Sequence, residues 1–224
     1  MPSLIVIDGL DGSGKTTQFE RLLSDHGDLY GISFPDYDKP SATLVKMYLS
    51  GEFSQNAADV NAYAASTFYA ADRYASYKLY WENEYRSGRI ILASRYVCSN
   101  IIHQMPKLNE NEWDAFIEWA EDYEYGKLGL PRPNEVFLLD IPSEVSQKRL
   151  LSRYHGDSSK RDIHESNISY MERCRKAALY AAEKCGWTVI NTVDDTHELS
   201  ADEVYNILAP WVSAYCISRE NTNA

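Results

Sequence analysis

Gly9-Leu10-Asp11-Gly12-Ser13-Gly14-Lys15-Thr16 follows the apolar run Leu4-Ile5-Val6-Ile7 and leads into a helical pattern from Thr17 to Leu23. Its spacing, G-x-x-x-x-G-K-[ST] between a strand and a helix, marks a phosphate-binding loop rather than an ordinary glycine-rich turn. A nucleoside triphosphate carries charge that must be met by donors. Gly9, Gly12 and Gly14 let the backbone wrap tightly and turn its N–H groups inward. The helix beginning near Lys15 contributes the positive end of its dipole, Lys15 reaches toward the β- and γ-phosphates, and the Thr16 hydroxyl is placed to ligate Mg2+. With Asp11, Ser13 and Thr17 these residues form the expected site for a nucleoside triphosphate.

Outward from this loop, short β-branched runs alternate with longer stretches of helical periodicity, the pattern of a parallel sheet with helical crossovers. Strands are expected near Leu4–Asp8, Tyr30–Phe34, Arg89–Ala93, Val136–Ile141 and Trp187–Asn191, and Asn56 to Ser87 reads as one long helix or two joined ones. The fold class is therefore α/β, about five parallel strands flanked by helices. No repeat, low-complexity linker or domain boundary appears, so residues 1–217 are expected to form one domain, with 218–224 as a flexible tail.

A net charge of −11 over 224 residues disfavours extended contact with nucleic-acid backbone, so positive charge must be concentrated locally to bind an anion. Cys98, Cys174, Cys185 and Cys216 have neither disulfide-framework nor zinc-ligand spacing and read as reduced, structural thiols. No apolar run approaches the ~18 residues of a membrane span, and the amino terminus lacks a basic region followed by an apolar one. The expected compartment is the cytosol.

In an open parallel sheet, ligands collect beyond the carboxyl ends of the strands, which singles out polar residues just after each run. These are the phosphate loop, Phe34-Pro35-Asp36-Tyr37, Ser94-Arg95-Tyr96-Val97-Cys98-Ser99-Asn100, and Thr192 to Glu198. Of these, the phosphate loop with Ile7-Asp8 ahead of it and Thr17-Gln18 after it, the Phe34-Pro35 turn, and Arg95-Tyr96 with Ser99-Asn100, joined by Tyr69-Ala70-Ala71-Asp72-Arg73 and the basic stretch near Lys160-Arg161, occur in the order of the thymidylate kinase family, which the chain resembles from about Ser3 to Leu208. The resemblance implies a P-loop kinase fold with a mobile lid, transfer of the ATP γ-phosphoryl group to dTMP, Mg2+ as cofactor and a homodimer packed through helices. The aromatic-rich stretch Tyr63 to Trp81 offers a face for that dimer or simply fills the core.

By the same resemblance, Phe34 and Tyr69 belong to the dTMP site, Tyr69 stacking on thymine; the alternative is a core tyrosine alongside Tyr63, Tyr74 and Tyr77. Arg73, one helical turn on, corresponds to an arginine near the base carbonyl. Arg95 corresponds to the arginine that contacts the acceptor phosphate and the transferring group. Ser99 and Asn100 approach the thymine edge, where an amide both donates and accepts; Asn100 as a helix cap is the alternative. Asp11 lies on the acceptor side near the sugar 3′-hydroxyl, or serves only to form the turn.

Arg149 to Arg161 passes from helical pattern into a polar loop and reads as the lid, about residues 153–165. The phosphate loop has Ser13 where one branch of the family places a basic residue, so transition-state charge falls to the lid, with Arg153 and Arg161 as the catalytic candidates beside Lys15 and Arg95, and Lys160 as a helper. Arg149 is expected to pack on adenine. Two departures stand out. Ser94 replaces the aspartate that helps hold Mg2+ through water, a role Asp8 can take over, and Tyr37 replaces an arginine near the acceptor phosphate. They leave open another acceptor such as dUMP, or nucleotide binding without catalysis.

Overall fold

Leu4, Ile5, Val6 and Ile7 are all fully buried, which is why β1 (Ser3–Gly9) reads as a continuous apolar run rather than an alternating one. Even and odd positions still part. Leu4 and Val6 pack with Ile91, Ala93, Trp81 and Tyr96 on one face, while Ile5 and Ile7 pack with Leu22, Leu92, Leu139 and Leu208 on the other. In the computed structural model, which describes residues 2–54, 56–153, 168–194 and 197–220, β1 is the centre of a five-stranded parallel sheet of order β2-β3-β1-β4-β5. The other strands are β2 (Leu29–Ser33), β3 (Ile90–Ser94), β4 (Glu135–Asp140) and β5 (Thr188–Asn191). Each overlaps the corresponding expected run.

The helices are α1 (Lys15–Asp25), α2 (Thr43–Leu49), α3 (Ala62–Ser76), α4 (Glu82–Arg86), α5 (Val97–Gln104), α6 (Trp113–Glu121), α7 (Ser143–Arg153), α8 (Ile168–Cys185) and α9 (Ala201–Glu220). The stretch expected to be helical from Asn56 begins only at α3, because Asn61 Oδ1 accepts from the N–H groups of Tyr63 and Ala64 and caps the helix there. A π-helical turn, Tyr77–Trp81, then joins α3 to α4, with Tyr77 and Trp81 buried edge to face at 4.6 Å. At the other end of the chain α9 continues to Glu220, so 218–220 are helical rather than part of a loose tail, and 221–224 lie outside the described residues.

Register brings the functional ends together. Ile7 pairs with Ser94 and Phe137, and Ser33 pairs with Ser94, so the carboxyl ends of β1, β2 and β3 open at one level. All four cysteines are free thiols.

Candidate active site

The phosphate loop is built by backbone constraints that only glycine meets. Gly9 has φ of 146° and a Cβ there would sit 2.5 Å from the Leu139 carbonyl oxygen; Gly12 has φ of 81° and a Cβ would sit 3.0 Å from that of Ser146. The loop is thereby pressed against β4 and α7, where the Ser146 hydroxyl donates to the Asp11 carbonyl at 2.6 Å. Gly9→Ala is expected to destabilise the protein by about 2 kcal/mol, from overpacking and strained backbone together. A denaturation midpoint equal to wild type would show that the loop yields without cost. The Lys15 ammonium lies inside the loop, donating to the carbonyls of Gly9 at 2.9 Å and Leu10 at 2.8 Å.

Arg95 sits directly after β3 with φ of 66°, left-handed geometry unusual outside glycine. Its N–H donates to the Ile7 carbonyl at 3.0 Å, tying the junction to β1. Its guanidinium pairs with Asp11, donates to His103 Nε2 at 2.9 Å and lies 3.8 Å from Asp8. A guanidinium only donates, so His103 Nε2 accepts and the ring carries its proton on Nδ1. Burial would push the Asp11 carboxyl up, but Arg95 and Lys15 outweigh it and hold the group well below the usual carboxylate range. Asp11 therefore stays ionised between two cations.

Asp8 is fully buried below this cluster, and its oxygens accept from the Gly9 N–H at 2.8 Å, the Ser99 hydroxyl at 2.6 Å and the Cys98 thiol at 3.0 Å. Ser99 also receives a long contact, 3.5 Å, from Arg95.

A cleft of about 410 Å³ runs from Gly12, Lys15 and Thr16 past Arg95 to Tyr69, Arg73 and Asn100. The local concentration of positive charge expected of an acidic chain is found here, where Lys15, Arg73 and Arg95 share one wall system with Asp11. Phe34 and Ser99 line the cleft as well, and Tyr69 meets Tyr48 edge to face at 6.3 Å. Tyr69 is thus a cleft residue rather than a member of the buried aromatic core. Asn100 lies within α5, not at its start, which removes the cap alternative.

Ser33, Leu49, His103 and Gln104 line the cleft without having been singled out by the sequence, and Glu124 supports its wall from behind. His103 and Gln104 line the cleft one turn beyond Ser99 and Asn100 on α5, so the spacing alone pointed to them. Glu124, in a π-helical turn after α6, is buried and bonds both Arg73 and Asn100. Among Glu118, Glu121 and Asp122 it looks like one more solvated charge, so nothing local distinguishes it.

A family model described as thymidylate kinase matches residues 7–203. The chain belongs to the thymidylate kinase family. Thymidylate kinase of Mycobacterium tuberculosis is 30% identical over 209 residues, covering 88% of this chain and 95% of that protein. A probable thymidylate kinase of Methanocaldococcus jannaschii is 30% identical over 203 residues, covering 90% and 91%. Among solved structures, thymidylate kinase of Candida albicans superposes with a TM-score of 0.71 at 20% identity over 95% of this chain and 91% of that one, a likeness of fold.

Against the thymidylate kinase pattern, Ser94 lines the cleft where the family's aspartate would stand, and Tyr37 does so where the arginine would. Arg149, on α7, donates to the Gly12 carbonyl at 3.2 Å and to Glu198 at 3.3 Å, bridging the phosphate loop to the segment after β5. Arg153 ends α7, while Lys160, Arg161 and the rest of the expected lid, 154–165, lie outside the described residues. For Mg2+, the exposed Thr16 hydroxyl on the cleft is the hard oxygen donor the ion favours. Asp8, proposed by its position for a water-mediated contact, has both oxygens engaged by Gly9, Ser99 and Cys98. Among the described residues no helix is long and apolar enough to cross a membrane.

Proposed function

We propose that this chain transfers the γ-phosphoryl group of ATP to dTMP, giving dTDP and ADP. The observation that carries the reading is the single cleft that joins the phosphate loop at Lys15 to Tyr69, Arg73 and Asn100, with Arg95 at the junction. Phosphoryl transfer asks the protein for alignment and charge neutralisation more than covalent chemistry, and the acceptor phosphate is already a nucleophile. No general base is required.

In this scheme the N–H groups of Asp11, Gly12, Gly14 and the start of α1 at Lys15, Thr16 and Thr17 bind the β- and γ-phosphates, while Gly9, whose N–H is held by Asp8, and Ser13, whose N–H is held by the Leu10 carbonyl, shape the loop. Lys15 exchanges the Gly9 and Leu10 carbonyls for phosphate oxygens. Arg95 grips the acceptor phosphate with its planar fork and meets the group in transit. Asp11 holds Lys15 and Arg95 toward each other and lies on the acceptor side of the loop. Thr16 would hold Mg2+, which when bound neutralises charge between the β- and γ-phosphates. Phe34, Tyr69, Arg73, Ser99 and Asn100 form the dTMP side, Arg149 the adenine side, and Arg153 and Arg161 the lid. Asp8 acts by fixing Ser99 and the loop entrance rather than by touching the metal's water.

We assign the working form as a cytoplasmic homodimer. Tyr77 and Trp81 are used in the core, but Tyr74, Leu79 and Tyr80 of the same stretch are exposed and supply an apolar face for a second copy. Sedimentation of a monomer at micromolar concentration would remove that assignment.

The test of the function is ADP release from Mg·ATP with dTMP, dUMP, dCMP, dGMP, dAMP and thymidine offered in turn, with product identity checked. Preferred turnover of dTMP supports the reading; ATP binding without turnover of dTMP overturns it. Tyr69→Ala is expected to raise the KM for dTMP about tenfold, the worth of one stacked base, with little change in kcat. An unchanged KM would place the base elsewhere.

A further inference from the structure

Glu124 makes an ion pair whose burial needs a reason. Arg73, Glu124 and Asn100 are each at most 2% exposed, and charges so placed are retained only with strong compensation. The compensation is a fork: Arg73 Nε donates to Glu124 Oε2 at 2.6 Å and Nη2 to Oε1 at 2.5 Å. Burial would lower the Arg73 pKa, but Glu124 more than offsets it, so the guanidinium keeps its charge. Asn100 then donates from Nδ2 to Glu124 Oε1 at 2.9 Å and to the Ser66 carbonyl at 3.2 Å.

Both partners of that amide group can only accept, which decides the orientation of the Asn100 side chain. Its nitrogen faces inward and its Oδ1 is left for the cleft. Arg73, with Nε and Nη2 taken by Glu124, keeps its Nη1 donors for the cleft it lines. The cleft wall thus offers a donor beside an acceptor, in fixed order.

We propose that Glu124 is the positioning residue that sets this order, so that the cleft takes a pyrimidine with a 4-keto group and an N3–H and rejects one with a 4-amino group and a bare N3. The order matches thymine or uracil, whose O4 accepts and whose N3–H donates. Cytosine presents the reverse at both positions, placing donor against donor and acceptor against acceptor. This inference rests on reading the cleft as the acceptor-nucleotide site, and it adds the residue that fixes base selectivity although it does not itself touch the base. A site built to hydrogen-bond one edge discriminates strongly against its inverse, because buried polar groups are left unpaired.

The experiment compares binding of dTMP and dCMP by calorimetry, and turnover of each, in wild type, Glu124→Gln and Glu124→Asp. Gln is nearly isosteric but carries a donor, so it cannot satisfy both arms of Arg73 and the Asn100 amide. Its preference for dTMP over dCMP is expected to fall by about tenfold or more, mainly through KM, with kcat at saturating dTMP within about threefold of wild type. Asp keeps the acceptor-only charge and is expected to keep the preference while binding more weakly. Should Gln not fold, the neutral double variant Arg73→Met with Glu124→Leu removes the buried charges together and is expected to lose the preference.

Selectivity at the wild-type level in Glu124→Gln, or in the double variant, overturns the inference. So does wild-type protein that binds dCMP as tightly as dTMP. Selective binding of dTMP without turnover would overturn the proposed activity alone, leaving Glu124 to be judged by the same binding ratio.

Discussion

Replacing Arg95 by alanine lowers kcat/KM for dTMP by about 10³-fold, the lower range for removal of an arginine that meets charge in phosphoryl transfer. Most of that loss appears in kcat, because the contact strengthens as charge moves toward the leaving group, while ATP affinity changes little. The geometry makes the residue hard to replace. Arg95 is held at φ of 66° by its N–H bond to Ile7, and its guanidinium is aimed by Asp11 and His103. Without it, Asp11 keeps Lys15 at 3.8 Å but loses its closest cation, and repels an incoming phosphate. Asp11→Asn placed on the Arg95→Ala background is therefore expected to recover part of the activity, about tenfold, through the coupling of two groups in contact. Arg95→Lys restores charge without the fork and stays well below wild type. Steady-state kinetics on the four proteins checks this, and wild-type turnover in Arg95→Ala removes the assigned role.

The sheet was legible because its inner strands β1, β3 and β4 are buried on both faces and so appear as compact apolar runs between polar segments, while the partly exposed edge strands β2 and β5 still carry β-branched or aromatic residues. Ser3–Gly9 and Glu135–Asp140 differ by no more than a residue at either end from the runs that announced them. Helix ends were less legible where a cap or a wide turn decided them. Asn61 stops α3 from starting at Asn56, and the π-helical turn at Tyr77–Trp81 answers to packing of two large rings, which periodicity cannot express. α6, inserted between β3 and β4, carries no motif and drew no notice although it leads into Glu124.

At the site, residues that follow a strand were visible because the sheet's carboxyl edge is where ligands gather. Lys15, Arg95, Ser99 and Asn100 are of this kind and all line one cleft. Asn100 illustrates the limit: an amide both donates and accepts, and sequence cannot say which end faces a ligand. Two acceptors remote in sequence, Ser66 and Glu124, settle it by claiming both hydrogens. Asp8 was legible by position, but its bonds to Gly9, Ser99 and Cys98, which tie the loop entrance to α5, join residues remote in sequence and were not.

Lys15→Ala is expected to lower kcat by about 10³-fold, comparable with removal of a strong preorganised donor, and also to loosen the phosphate loop. The second effect follows from where the ammonium lies. It is 6% exposed and donates to the carbonyls of Gly9 and Leu10, so alanine leaves both without that donor and takes one cation from Asp11. The Leu10 carbonyl keeps the Ser13 N–H at 3.1 Å, so the loss is that of the lysine's own hydrogen bonds, about 1 kcal/mol each, and the thermal midpoint should fall even without nucleotide. Arg95→Ala breaks the pair with the Asp11 side chain but keeps the Lys15 bonds to the loop carbonyls, and so should leave the loop's ATP affinity nearer to wild type. The two variants therefore separate on ATP binding measured by calorimetry while remaining similar in lost turnover. Equal ATP affinity in both would mean that the Lys15 contacts to Gly9 and Leu10 do not organise the loop, and that the lysine acts on the phosphates only during transfer.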